Sequence, residues 1–132
     1  MSRQPIHSNR APAAIGPYSQ AIRCAQTASS HTVYLSGQTP LDPVTGVLVE
    51  GDIAVQARRA LDNLKAVCEA AGGSLDDVVR IGLYLTDLRD FAAVNAVMAE
   101  YFSAPYPARS TIEVAGLPKD SAFEVDAVMV LD

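Results

Sequence analysis

The chain of 132 residues is poor in the groups that staple or metallate small proteins. It holds two cysteines, Cys24 and Cys68, and two isolated histidines, His7 and His31. These have no zinc-type spacing, so no metal site is expected. Long apolar runs are missing too. The longest, Ala127 to Leu131, is far too short to span a bilayer. Met1 to Asn9 lacks the apolar core of a secretory signal. With so little cysteine, a cytoplasmic, reducing compartment is the expectation. No repeat period and no low-complexity tract divides the chain. The G-x-S-x-G, P-loop and G-x-G-x-x-G patterns are all absent, which leaves serine-hydrolase and nucleotide-binding readings without support. Positive charge is also scarce: ten Lys+Arg against fifteen Asp+Glu give a net charge of −5. An acidic surface argues against tight nucleic-acid binding, because phosphate contacts dominate that affinity.

What is present is the composition of a folded protein. Hydrophobic residues make 49% and charged residues 19%, which excludes a disordered chain. Residues 1–132 are read as a single domain, since the length is typical of one. Ile53, Ala57, Leu61, Leu64 and Cys68 form one apolar stripe at helical spacing. Asp52 caps that helix, Gly72-Gly73 stops it, and Arg58, Arg59, Asp62 and Lys65 form its solvated face. A second helix is predicted from about Asp90 to Ser103. Phe91, Val94, Met98 and Tyr101 make its inner side, with Asn95 nearby. Strand patterns cover Thr32–Ser36, Val79–Leu85, Arg109–Ala115 and Ala122–Leu131. A capping box at Ser74–Asp77 and a turn at Leu41–Gly46 punctuate them. The segment from Ala25 to His31 is longer than a usual strand-to-strand turn and takes no role from its sequence.

The order of strands, helix, strand, helix and strands indicates an α/β or α+β sandwich with the helices on one sheet face. Phe123, Val125, Ala127, Met129 and Leu131 then meet the helices, while Glu124, Asp126, Val128 and Val130 point away. On the preceding strand, Ile112 and Val114 are expected inward, and Arg109, Thr111 and Glu113 outward. Arg109 and Glu124 would then share the outer face of neighbouring strands. That face is half apolar and the chain has no third layer to cover it, so a homo-oligomer is expected.

Several residues on these elements have chemical potential, each with a plain structural alternative. Arg109 begins a strand after the stiff Pro105–Ala108 approach. It is either a clamp for a substrate carboxylate or a surface arginine paired with an acid such as Glu124. Glu124 is either that partner or a base for a water molecule, made more basic by burial under an oligomer contact. Tyr18 follows the Gly16-Pro17 turn, which suits a phenol facing a cleft as well as an aromatic packed at a strand start. Gly37 allows close ligand approach or makes a bulge. Asn95 bonds a ligand or bridges the helix packing.

Read together, these segments resemble the RidA family, the YjgF-type reactive intermediate deaminases. The resemblance is carried in order by Ala11–Gln20 (APAAIGPYSQ), Leu35–Gln38 (LSGQ), Gln56–Arg58 with Leu61–Lys65, Asp90–Asn95 (DFAAVN), Pro107–Val114 (PARSTIEV) and Leu117–Asp120 (LPKD). It implies a chorismate-mutase-like fold, one mixed sheet with two main helices on one face. It further implies a homotrimer with clefts between subunits and no cofactor. The implied reaction is hydrolysis of 2-enamine and 2-imine acids, such as 2-aminoacrylate/2-iminopropanoate and 2-iminobutanoate, to 2-oxo acids and ammonia. By position, Arg109 matches the family's carboxylate-binding arginine and Glu124 the glutamate that activates water. Tyr18, Gly37 and Asn95 match cleft positions. Thr111 stands where many members carry cysteine; that removes a thiol but keeps a hydroxyl able to bond a ligand. The alternatives are a deaminase for a larger enamine such as an aminomuconate, or a non-catalytic ligand-binding or chaperone-like module. Ribonuclease activity is the least favoured because of the acidic balance.

Overall fold

The computed structural model describes residues 3–132. Met1 and Ser2, the start of the Met1–Asn9 stretch, lie outside the described residues. Six strands and two helices follow one another as β1 (Arg3–Ile6), β2 (Ala21–Ala25), β3 (His31–Gln38), α1 (Ile53–Ala70), β4 (Val78–Leu85), α2 (Phe91–Tyr101), β5 (Ala108–Glu113) and β6 (Phe123–Leu131). They build one mixed sheet in the order β1-β2-β3-β6-β4-β5, in which only β4 and β5 run parallel. The parallel pair is possible because α2 supplies the crossover that parallel strands need.

Both helices form where the spacing places them. The Asp52 carboxylate accepts from Val55 N at 3.0 Å and caps α1. Gly72, at φ +92°, ends it in a backbone conformation that a side chain would strain. Ala57, Leu61, Leu64 and Cys68 are fully buried, as the stripe requires. They meet Val33 and Leu35 of β3 and Phe123, Val125 and Met129 of β6, all inside one apolar core. In α2 the buried residues are Val94, Val97 and Met98. Phe91, expected on that inner side, is instead 40% exposed at the open end of the helix.

Two strands that periodicity did not single out, β1 and β2, complete the sheet as a hairpin continuation beside β3. The Ala25–His31 segment is the β2–β3 turn. Ala25 and His31 pair, Gln26 N bonds Ser30 O at 2.8 Å, and Thr27 Oγ1 accepts from the backbone N–H of Ser29 and Ser30. In β4 the register shifts between Val78 and Arg80, so Val78 is buried and Val79 is 47% exposed. A bulge there interrupts the alternation that the sequence suggests from Val79 onward.

The face assignment of β5 is the main correction. Arg109, Thr111 and Glu113 lie opposite Ile81, Leu83 and Leu85, which are buried against the helices. Cross-strand partners share a face, so Arg109 and Thr111 are on the helix side and Ile112 is on the outer side, 47% exposed. Nor do β5 and β6 adjoin, because β4 lies between them. On an edge strand half open to solvent, polarity is a poor guide to side, and a one-residue misreading inverts every side chain.

On β6 the reading holds. Phe123, Val125, Ala127 and Met129 are buried, and Glu124, Asp126, Val128 and Val130 are half-buried on the other face. Tyr34, on the neighbouring strand opposite Val128, is 53% exposed. Among the described residues no helix is long and apolar enough to cross a membrane.

Candidate functional site

The chemistry-bearing residues collect in two cavities on opposite sides of the sheet. The first, about 400 Å³, lies on the helix side between α2 and the start of β5, lined by Asn95, Met98, Phe102, Tyr106 and Arg109 among others. β5 sets the guanidinium down beside α2. There Arg109 Nη1 donates to Asn95 Oδ1 at 2.7 Å, and Cζ lies 5.5 Å from the centroid of the Phe91 ring. Asn95 thus bridges to Arg109 within the chain. Glu124 does not pair with Arg109, being on the other face. The ion pairs of the described residues are Arg10–Glu69, Arg58–Glu100 and Arg89–Asp87, and Arg109 is in none of them. Among the described residues its remaining N–H donors bond nothing else, and a guanidinium fork suits a carboxylate. Thr111 is next along this face. Its Oγ1 is buried and has no hydrogen-bond partner among the described residues.

The second cavity, about 350 Å³, brings together Tyr18, Ser36, Gly37, Gln38, Pro118 and Glu124. Glu124 projects from β6 opposite Tyr84, on the outer face. Its carboxyl pKa is raised above the ordinary 4.5, first by burial and then by the nearby Asp126 charge. Such a carboxylate takes a proton more readily than a solvated one. It rests against the backbone of Gly37, where a Cβ would come within 2.9 Å of the Glu124 Cδ. Gly37 therefore makes room for the carboxylate, and β3 runs on through it to Gln38 with a register irregularity between Leu35 and Gln38.

Tyr18 is 48% exposed, not packed into the core. The Gly16-Pro17 turn presents it: Tyr18 N bonds Gly16 O at 2.8 Å and its hydroxyl accepts from Ile15 N at 3.2 Å. The segment that carries it is tied down by Gln20, a buried residue that sequence reasoning left without a role. Gln20 Nε2 donates to Pro12 O at 2.8 Å and Ser8 O at 3.1 Å, while its Oε1 accepts from Ser8 N at 2.7 Å. Buried Asn63 does the same for the following loop, donating to Leu41 O at 2.9 Å. Asn63 lies outside the stripe through Ile53, Ala57, Leu61, Leu64 and Cys68, on the flank of α1 with buried Ala60 and Val67, and helical spacing did not single it out. For Gln20 there was no signal beyond residue type.

Other routes to reactivity find no support in the geometry. Cys68 is buried and its thiol is pushed up to about 12, far from a nucleophile's range. Among the described residues no three His, Cys, Asp or Glu side chains gather as a metal site would need.

Comparison with known proteins gives this geometry a context. The family model described as Endoribonuclease L-PSP matches residues 8–131. Protein DfrA of Myxococcus xanthus is 50% identical over 98% of this chain and 97% of its own length. The 2-iminobutanoate/2-iminopropanoate deaminase of Dermatophagoides farinae is 43% identical over 96% of this chain and 95% of its own. Among solved structures, RidA from the Antarctic bacterium Psychrobacter sp. aligns with a TM-score of 0.88 at 48% identity, covering 96% of this chain and 98% of that one.

Proposed function

Because the chain belongs to the endoribonuclease L-PSP family, which takes in the YjgF and RidA proteins, we propose that it is a hydrolase of small 2-imino and 2-enamino acids. The products are a 2-oxo acid and ammonia. The observation that carries the reading is the pair of half-sites: a guanidinium with an open fork, and a half-buried carboxylate of raised pKa beside a glycine. Relatives named 2-iminobutanoate/2-iminopropanoate deaminase support the substrate class.

In one protomer the halves are on opposite faces of the sheet, so the working site takes Arg109, Asn95 and Thr111 from one copy and Tyr18, Gly37 and Glu124 from a second. The outer face, with Tyr34, Ile112, Val128 and Val130, is the surface for that association. A cyclic trimer with three equivalent clefts satisfies the requirement.

The chemistry needed is modest because an imine is already electrophilic. Arg109 holds the substrate carboxylate by parallel hydrogen bonds and so fixes the imine carbon. Glu124 takes a proton from a water whose oxygen adds to that carbon. Glu124 returns that proton to the nitrogen, giving a carbinolamine; the hydroxyl proton then moves by way of Glu124 to the same nitrogen, the carbon–nitrogen bond breaks, and ammonia leaves as the carbonyl forms. No cofactor enters these steps.

The test couples the protein to a threonine dehydratase and follows 2-oxobutanoate at high pH, where spontaneous imine hydrolysis is slow. Acceleration with ammonia release supports the reading; an unchanged rate with retained ligand binding replaces it with a non-catalytic binding module. A larger enamine, such as an aminomuconate, is the second substrate class for the same assay. Rates on both substrates decide between them.

A further inference from the structure

We infer that Phe91 is a positioning residue for the guanidinium of Arg109, a shelf that sets its tilt so that its free edge meets the substrate carboxylate. The inference rests on the reading of Arg109 as the carboxylate clamp. Phe91 is 40% exposed while α2 buries Val94, Val97 and Met98, so the ring is not held by the core. What it does touch is Arg109, whose Cζ is 5.5 Å from the ring centroid. That distance is within the range at which a cation is attracted to the negative face of an aromatic ring. Asn95 is four residues further along the same helix, hence on the same side, and takes one N–H of Arg109 at 2.7 Å. One helical turn therefore grips the guanidinium twice. Asn95 fixes it within its own plane, and Phe91 fixes the direction that plane faces.

The choice of an aromatic group has a chemical reason. An Asp or Glu at this position would also hold the guanidinium, but it would occupy the fork that the substrate needs and cancel the charge. A ring face attracts the cation without supplying an acceptor in the hydrogen-bonding plane. It leaves the four uncommitted N–H groups of the five that a guanidinium carries. Phe91 thus supplies orientation and touches no reacting atom.

The experiment measures binding of the product 2-oxobutanoate and steady-state kinetics for the wild type, Phe91→Leu, Phe91→Tyr and Arg109→Ala. A series with progressively fluorinated phenylalanine at position 91 accompanies them, since fluorine drains the negative ring face while keeping its shape. Phe91→Leu is expected to weaken binding and raise KM by about 3- to 30-fold, with a smaller change in kcat. Phe91→Tyr restores both, and affinity falls stepwise with fluorination while the melting temperature stays level. Affinity indifferent to fluorination, with Arg109→Ala still weakening binding, overturns the role of Phe91 alone. If Arg109→Ala binds 2-oxobutanoate as well as wild type, the carboxylate reading fails and the inference falls with it. The fluorinated series keeps the shape of the site, so it decides the matter even if Phe91→Leu folds poorly.

Discussion

The carboxylate of Glu124 occupies the space that a side chain at Gly37 would take, with the Glu124 Cδ 2.9 Å from where that Cβ would stand. The group in the way is the tip of a flexible side chain, and the backbone at Gly37 has no positive φ. Gly37→Ala should therefore fold normally, within about 1 kcal/mol of wild type, and push the Glu124 carboxylate aside. Deaminase activity should fall as it does in Glu124→Gln. Chemical denaturation alongside the dehydratase-coupled assay checks this; a fully active Gly37→Ala enzyme would show that the glycine serves only the strand.

Arg109 is exposed and outside the apolar core, so its loss should not unfold the chain. Arg109→Ala should raise KM about 10- to 150-fold, the value of hydrogen bonds to a charged group. Turnover that is unchanged at low substrate concentration would remove Arg109 from carboxylate capture.

Glu124→Gln keeps the shape of the second cavity and removes the base. Its kcat should drop roughly a hundred- to ten-thousand-fold, as loss of a positioned general base does, with 2-oxo acid binding retained. A rate equal to wild type would take Glu124 out of the mechanism.

The titration of Glu124 reports on assembly. Within one protomer, burial and Asp126 raise its pKa above 4.5, and no cation of that protomer is among the causes. A guanidinium from a second copy would pull the value back down. Arg109→Ala should therefore raise the Glu124 pKa, read from the side-chain carboxyl signal by carbon NMR. With the folded pKa above the unfolded one, that variant's contribution from Glu124 is fully present below 4.5 and is lost as pH rises through the raised value. The same titration in both proteins would place Arg109 of every copy away from Glu124.

Much of this architecture was legible in the chain. The stripe through Ala57, Leu61, Leu64 and Cys68, the caps at Asp52 and Ser74, and the alternation of β6 are local signals, and they were read correctly. The candidate site residues were singled out through separated motifs, and the structure gathers Tyr18, Gly37 and Glu124 in one cavity and Asn95 with Arg109 in another. The relation between these groups was not legible. The face of Arg109 depends on the parallel register of β5 with β4, a non-local pairing that the mixed polarity of an edge strand does not encode. The partnership of Arg109 with Phe91 was hidden for a related reason. Helical spacing assigned that ring to the core, while its position at the first turn of α2 put it beside the sheet edge.

Subunit complementation tests the shared site most directly. Arg109→Ala and Glu124→Gln, each nearly inactive at substrate concentrations well below the wild-type KM, are mixed in equal amounts, dissociated, reassembled and assayed at such a concentration. If each site draws Arg109 and Glu124 from different copies around a ring, about one site in four regains both groups, and roughly a quarter of wild-type activity returns. No recovery from freely exchanged mixed assemblies would contradict the account, because a site built within one protomer cannot be restored by mixing.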